Sequence, residues 1–140
     1  MRALFDTNIF ISYLLSPAAE GTVAAIVEAA LTRAFTLILP HELGERLPAT
    51  IAGKDYLAQR ISAQDAHRLL ELLLGVAEII PPIGRPIPRV CRHVKDDYLV
   101  AHALIGRANY LVTGDDDLLV LGEVASARIV TPSAFLLQIL

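Results

Sequence analysis

Apolar residues follow two rhythms along this chain. Short continuous runs at Arg2 to Phe5, Phe35 to Leu39, Val76 to Ile80, Tyr110 to Thr113 and Arg128 to Val130 read as buried strands. Between them the spacing becomes helical. It predicts helices over Asn8 to Leu15, closed by Ser16-Pro17, and over Gly21 to Arg33, where Val23, Ile26, Val27, Ala30 and Leu31 share a face. Pro40 is placed to open a helix from about His41 to Leu47, and Ser62-x-x-Asp65 to start one that runs to Leu74 and passes through Gly75 into a strand. Pro81 to Val94, with four prolines, is the one long irregular segment. Asp96 to Arg107 and Asp115 to Leu121 read as helices, and Thr131-Pro132 opens a terminal one. Alternating strands and helices imply βαβ units, a central parallel sheet and helices on both faces, an α/β fold of three α/β/α layers.

The chain has 140 residues, a length that fits one domain spanning 1–140. Hydrophobic residues make up 54% and charged residues 19%, with a mean hydropathy of +0.53. That excludes a disordered segment and hints at apolar surface kept for a partner. Charged or polar residues break the apolar stretches well before the roughly 18 residues that span a bilayer, and the N-terminus lacks the regions of a signal peptide, so a cytoplasmic protein without membrane association is expected. The single cysteine, Cys91, leaves no internal disulfide and no cysteine zinc cluster. A net charge of −3 gives no long-range basic field for nucleic acid, so any such binding relies on local basic groups or on a metal.

The candidate chemistry lies in acids that end apolar elements. Asp6 closes the first strand in Leu4-Phe5-Asp6-Thr7-Asn8; its plain alternative is a helix cap. Leu111-Val112-Thr113-Gly114-Asp115-Asp116-Asp117 repeats the pattern, and its adjacent carboxylates repel one another unless a divalent ion binds them. Asp115 is the best placed of the three, Asp117 lies one step further out, and Asp116 is expected to face solvent. Glu42 and Glu45 both fall on the helix after the second strand. At about 100° per residue, Val100, Ala101, Leu104, Ile105 and Ala108 lie within roughly 80° of Asp97, so Asp97 is expected on the apolar face and Asp96 as a solvated cap. A few converging carboxylates suit a hard cation such as Mg²⁺. His41, His67, His93 and His102 are scattered without zinc-ligand spacing; each is expected at the surface or as a packing tip, with His102 on the far side of the Asp97 helix.

LFDTNIFISYLL, LPHELGERL, KDDYLVAHAL, YLVTGDDDLL and RIVTPSAFL, in that order, resemble the PIN domain nucleases over the full length, especially the toxin components of bacterial and archaeal toxin-antitoxin systems (the VapC-like branch). The resemblance implies a Rossmann-like fold, Mg²⁺ or Mn²⁺ as cofactor, and hydrolysis of RNA. It also implies a cognate antitoxin as partner and a homodimer. Carried onto this chain, it assigns the catalytic and metal-binding acids to Asp6, Glu45 (with Glu42 as the alternative), Asp97 and Asp115. Asp117 becomes an auxiliary acid, and Asn8 and Thr113 supporting polar groups. His93-Val94 stands where the branch often has an Asp-Pro pair, and Arg46 where it has an apolar residue.

Arg85, Arg89, Arg92 and Lys95, with His93, cluster before the Asp97 helix and are candidates to receive RNA phosphates, a solvated loop being the alternative. A haloacid-dehalogenase-type hydrolase wants a second aspartate where this chain has Asn8. The stronger rival is a PIN-fold protein of weak or no nuclease activity that acts as an RNA- or protein-binding module. The apolar composition and the tail PSAFLLQIL encourage that rival, although such a tail is ordinarily a packed helix.

Overall fold

A computed structural model of the chain describes residues 1–16, 21–89, 91, 94–124 and 126–140, with residues 94 and 95 described by backbone alone. Six strands, β1 (Arg2–Phe5), β2 (Thr36–Pro40), β3 (Glu78–Ile80), β4 (Tyr110–Val112), β5 (Glu123–Val124) and β6 (Ala127–Val130), form one sheet in the order β3-β2-β1-β4-β6-β5. All neighbours pair in parallel except β5 with β6. The chain therefore winds outward from β1 in one direction through β2 and β3, then in the other through β4 and β6. The boundary between β1 and β4 is the topological switch point, where an open α/β sheet leaves a crevice at its carboxyl edge.

Eight helices are described: α1 (Thr7–Leu15), α2 (Thr22–Leu31), α3 (Leu43–Ala52), α4 (Asp55–Arg60), α5 (Ala63–Val76), α6 (Val94–Ile105), α7 (Asp116–Leu119) and α8 (Pro132–Ile139). None is long and apolar enough to cross a membrane, among the described residues. Strand residues alternate between two cores. Ala3, Phe5, Leu37, Leu39 and Val112 join α1 to α5 and α8 on one face, while Leu4, Ile38, Leu111 and Ile129 meet Leu99, Val100 and Ala103 of α6 and Leu118 of α7 on the other. This is the three-layer α/β/α arrangement that the alternation predicts. Phe5 packs against Phe10, Phe35 and Phe135 with ring centroids 5.6–5.9 Å apart, so the strand that ends in Asp6 is anchored in a rigid aromatic cluster.

Three elements differ from the pattern-based reading. Pro40 is the last residue of β2 and not the first of a helix, because the ladder with β3 continues past it, pairing Pro40 with Ile80 and the His41 N–H with the Ile80 carbonyl. The helix expected to stop at Leu47 continues as α3 to Ala52, straight through Pro48. Leu43, Leu47 and Ile51 recur every four residues and are all buried; at about 1.5–3 kcal/mol for each buried side chain, their packing outweighs the roughly 3 kcal/mol that an internal proline costs. Two short elements, α4 and the antiparallel edge strand β5, carry too few residues to show a period. β5 depends on Gly122, whose φ of 71° turns the chain back toward β6.

Ser62 accepts the Asp65 N–H at 3.0 Å and so starts α5 as its motif predicts, but the helix runs through Gly75 to Val76. Helix α6 ends in a Schellman turn: the Ala108 N–H reaches the Ala103 carbonyl at 2.9 Å and the Arg107 N–H the Leu104 carbonyl at 3.1 Å, with Arg107 left-handed at φ 53°.

Candidate metal centre

At the carboxyl edge of β1, Asp6 caps α1, its Oδ1 accepting the Asn8 N–H at 3.4 Å. That bond is long for a hydrogen bond, and the second oxygen has a stronger partner: the Thr113 hydroxyl donates to Asp6 Oδ2 at 2.8 Å. Thr113 continues β4 and is fully buried, its N–H bound to the Val130 carbonyl. Its hydroxyl oxygen in turn accepts the Asp115 N–H at 3.0 Å. Asp115 caps α7 by accepting the Asp117 N–H at 2.9 Å. One chain of short bonds thus fixes the two strand ends and their acids relative to each other. Asp116, on the same turn, is exposed as expected.

Carboxylate oxygens of Asp96, Asp115 and Asp117 lie within 4.8 Å of one another. Asp96 and Asp6 line the same cavity of about 170 Å³, along with Asn8. The acid that α6 brings to this edge is therefore Asp96, and not Asp97. Both are 1% exposed, so Asp96 is no solvated cap. Asp97 points to a separate apolar recess lined by Ile87, Val100 and Leu104. There its Oδ1 accepts the Cys91 N–H at 2.6 Å and its Oδ2 meets Arg89 Nε at 2.7 Å, tying those two residues to α6.

The helical wheel fails for a specific reason. It counts Leu104 and Ile105 as core, yet they are 46% and 54% exposed, while Leu99, Val100 and Ala103 are buried. Those three lie within roughly 60° of Asp96. A helix apolar on nearly every side has no unique inward phase, and the buried set decides between two adjacent acids.

The two glutamates differ in their partners. Glu45 is exposed and, together with Glu42, borders a groove with Leu70, Leu74 and Ile79 that is separate from the cavity holding Asp6. Glu42, just before α3, accepts a hydrogen bond from the Tyr98 hydroxyl. Burial, and then this bond, push the Tyr98 phenol above its ordinary range. Neither glutamate joins the aspartate group, among the described residues. His102 is fully buried and not at the surface; its Nδ1 donates to the Tyr98 carbonyl at 2.9 Å, its ring lies 4.2 Å from the Tyr98 ring, and its Nε2 faces Glu42 Oε2 at 3.6 Å. The guanidinium carbon of Arg46 sits 3.7 Å over the centroid of the Tyr98 ring.

Of the cations singled out from the sequence, the two described ones do not line the cavity holding Asp6. Arg89 is engaged by Asp97, and Arg85 is exposed and does not line the Asp6 cavity. Arg92 and the Lys95 side chain fall outside the described residues. The basic groups that do line the cavity, Arg46 and Lys54, with Thr50 between them, come from α3 and the residue before α4. Periodicity could not find them, because a four-residue spacing of polar groups on an amphipathic helix also describes a solvated face.

The PIN domain profile matches residues 2–117. The chain belongs to the PIN domain family. Among solved structures, this PIN domain is similar to VapBC2 from Rickettsia felis, crystallised bound to a DNA fragment from their promoter, with a TM-score of 0.59, 14% identity, and 94% of this chain and 98% of that chain covered. It is also similar to PAE2754 from Pyrobaculum aerophilum, with a TM-score of 0.64, 17% identity, and 99% and 89% of the two chains covered. At these identities the likeness is one of fold. No curated protein matches the sequence significantly.

Proposed function

We propose that this PIN domain is a divalent-metal-dependent endoribonuclease that hydrolyses RNA phosphodiester bonds, and that it is the toxin of a type II toxin-antitoxin pair, active in the cytoplasm as a homodimer. The observation that carries the catalytic reading is the convergence of Asp96, Asp115 and Asp117 within 4.8 Å at the sheet's switch point, with Asp6 held beside them through Thr113. Three hard oxygen donors at that spacing fit Mg²⁺ or Mn²⁺. Asp96, Asp115 and Asp117 would hold the ion, and Asp6 would stand on the cavity side of the group. When bound, such an ion supplies Lewis acidity toward the phosphate and lowers the pKa of a water.

The chain's own residues do the positioning. Thr113 fixes the orientation of the Asp6 carboxylate by donating to Oδ2. The Asp117 N–H does the same for Asp115 through Oδ1. Glu42, hydrogen-bonded to Tyr98 of the cavity lining, replaces Glu45 as the favoured glutamate in this proposal. The toxin role draws its support from family membership and from the fold shared with the Rickettsia felis VapBC2 assembly, which also supports an antitoxin partner.

Incubation of purified protein with a panel of RNAs in Mg²⁺, Mn²⁺ or EDTA tests the reading. Cleavage should require the metal and be lost in Asp96→Asn and Asp6→Asn. Cleavage that survives EDTA or either substitution would overturn the metal-centre reading. A folded, Mn²⁺-saturated protein that cuts no RNA would leave the binding-module reading in its place.

A further inference from the structure

We propose that Arg46 and Lys54 form a phosphate track that grips the RNA backbone beside the scissile bond, with Tyr98 as the positioning residue for Arg46. The proposal rests on the ribonuclease reading and names where the substrate lies. Arg46 and Thr50, four residues apart on α3, stack along one helix face with about 6 Å of rise between them. Arg46 and Thr50 lie on α3, Lys54 directly precedes α4, and all three border the cavity that holds Asp6 and Asp96. The acids and the basic row share one small space.

Arg46 is held and not merely near. Its guanidinium carbon lies 3.7 Å from the centroid of the Tyr98 ring, and that ring is fixed by the Glu42 bond and by the buried His102 ring beside it. A stacked guanidinium keeps its edge donors for an anion and loses little side-chain freedom on binding it. Two other arginines are committed, Arg2 to Glu78 and Arg89 to Asp97. Arg46 and Lys54 enter no ion pair with a carboxylate among the described residues. In a chain of net charge −3, a polyanion can approach four acids only where local cations offset them, and the backbone phosphate is the group such cations recognise without regard to sequence.

Equilibrium binding of a short fluorescein-labelled oligouridylate, followed by anisotropy in Ca²⁺ as salt is raised from about 50 to about 200 mM, tests the track. For single strands each phosphate contact contributes about 0.7 to the slope of log K against log salt. Arg46→Ala and Lys54→Ala should each flatten that slope by about 0.7 and the double variant by about 1.4. Arg60→Ala, a cation away from the cavity, should leave it unchanged. Arg46→Gln serves as a second probe should the alanine variant fold poorly. Slopes equal to wild type in both single variants, equal flattening in Arg60→Ala, or no salt-dependent binding by the wild type would overturn the track. Absence of cleavage by the metal-loaded wild type would strike the ribonuclease reading alone, because the slope is read from binding.

Discussion

Thr113 and Asp6, 107 residues apart in the chain, are joined by a hydrogen bond of 2.8 Å from the threonine hydroxyl to Asp6 Oδ2. Because the same hydroxyl accepts the Asp115 N–H at 3.0 Å, one buried oxygen sets the geometry of acids on two strands. Thr113→Val keeps the shape and removes the bridge. Groups that orient ligand carboxylates in this way typically contribute 10–100-fold to metal affinity, so Mn²⁺ binding by calorimetry should weaken by about one to two orders of magnitude while the protein stays folded. Unchanged affinity would show that the bridge has no bearing on the site.

Asp96 and Asp97 should behave in opposite ways despite equal burial. Asp96→Asn removes a charge from the aspartate group and should abolish Mn²⁺ binding with little effect on melting. Asp97→Asn breaks the charge-assisted contact with Arg89 at 2.7 Å and should cost about 1.5–3 kcal/mol of stability, leaving Mn²⁺ affinity close to wild type. Denaturant melts paired with metal titration separate the two; loss of binding in Asp97→Asn with full stability would reverse the assignment.

The Cys91 thiol is pushed up to about 11, by burial first and then by its contact with Asp97. Its alkylation by iodoacetamide should therefore be slow at pH 8 and rise toward pH 11. The sign for stability follows: a raised folded-state pKa means that this contribution is complete below the ordinary thiol value and is lost as pH climbs from there toward about 11. Rapid alkylation at pH 8 in the folded state would contradict the burial.

Two neighbours at the end of α6 predict changes of opposite sign. Arg107 holds φ at 53° at the position of a Schellman turn where glycine is favoured, so Arg107→Gly should be neutral to stabilising, by up to about 1 kcal/mol. Gly106→Ala would put a Cβ 2.9 Å from Ile38 Cγ2 and 3.0 Å from the His102 carbonyl, and should cost about 1–3 kcal/mol. Thermal melts of both variants check the pair.

The amino-acid sequence by itself determined the parallel sheet, the layered architecture and the strand-end positions of Asp6 and Asp115, because an apolar run that stops at a carboxylate is a local event, complete within a handful of residues. It also exposed Ser62 as a cap and Asp116 as a surface group for the same reason. Tertiary structure alone decided between Asp96 and Asp97, since α6 is apolar on nearly every side and only the packing of Leu99, Val100 and Ala103 against the sheet fixes its rotation. It joined Glu42 to Tyr98, a residue 56 positions away. It brought Arg46, with Thr50, to the cavity that holds Asp6, because α3 persists through Pro48 on the strength of Ile51. Periodicity states that a helix has an inner face; which residues occupy that face, and which cavity they border, depends on what the rest of the chain packs against it.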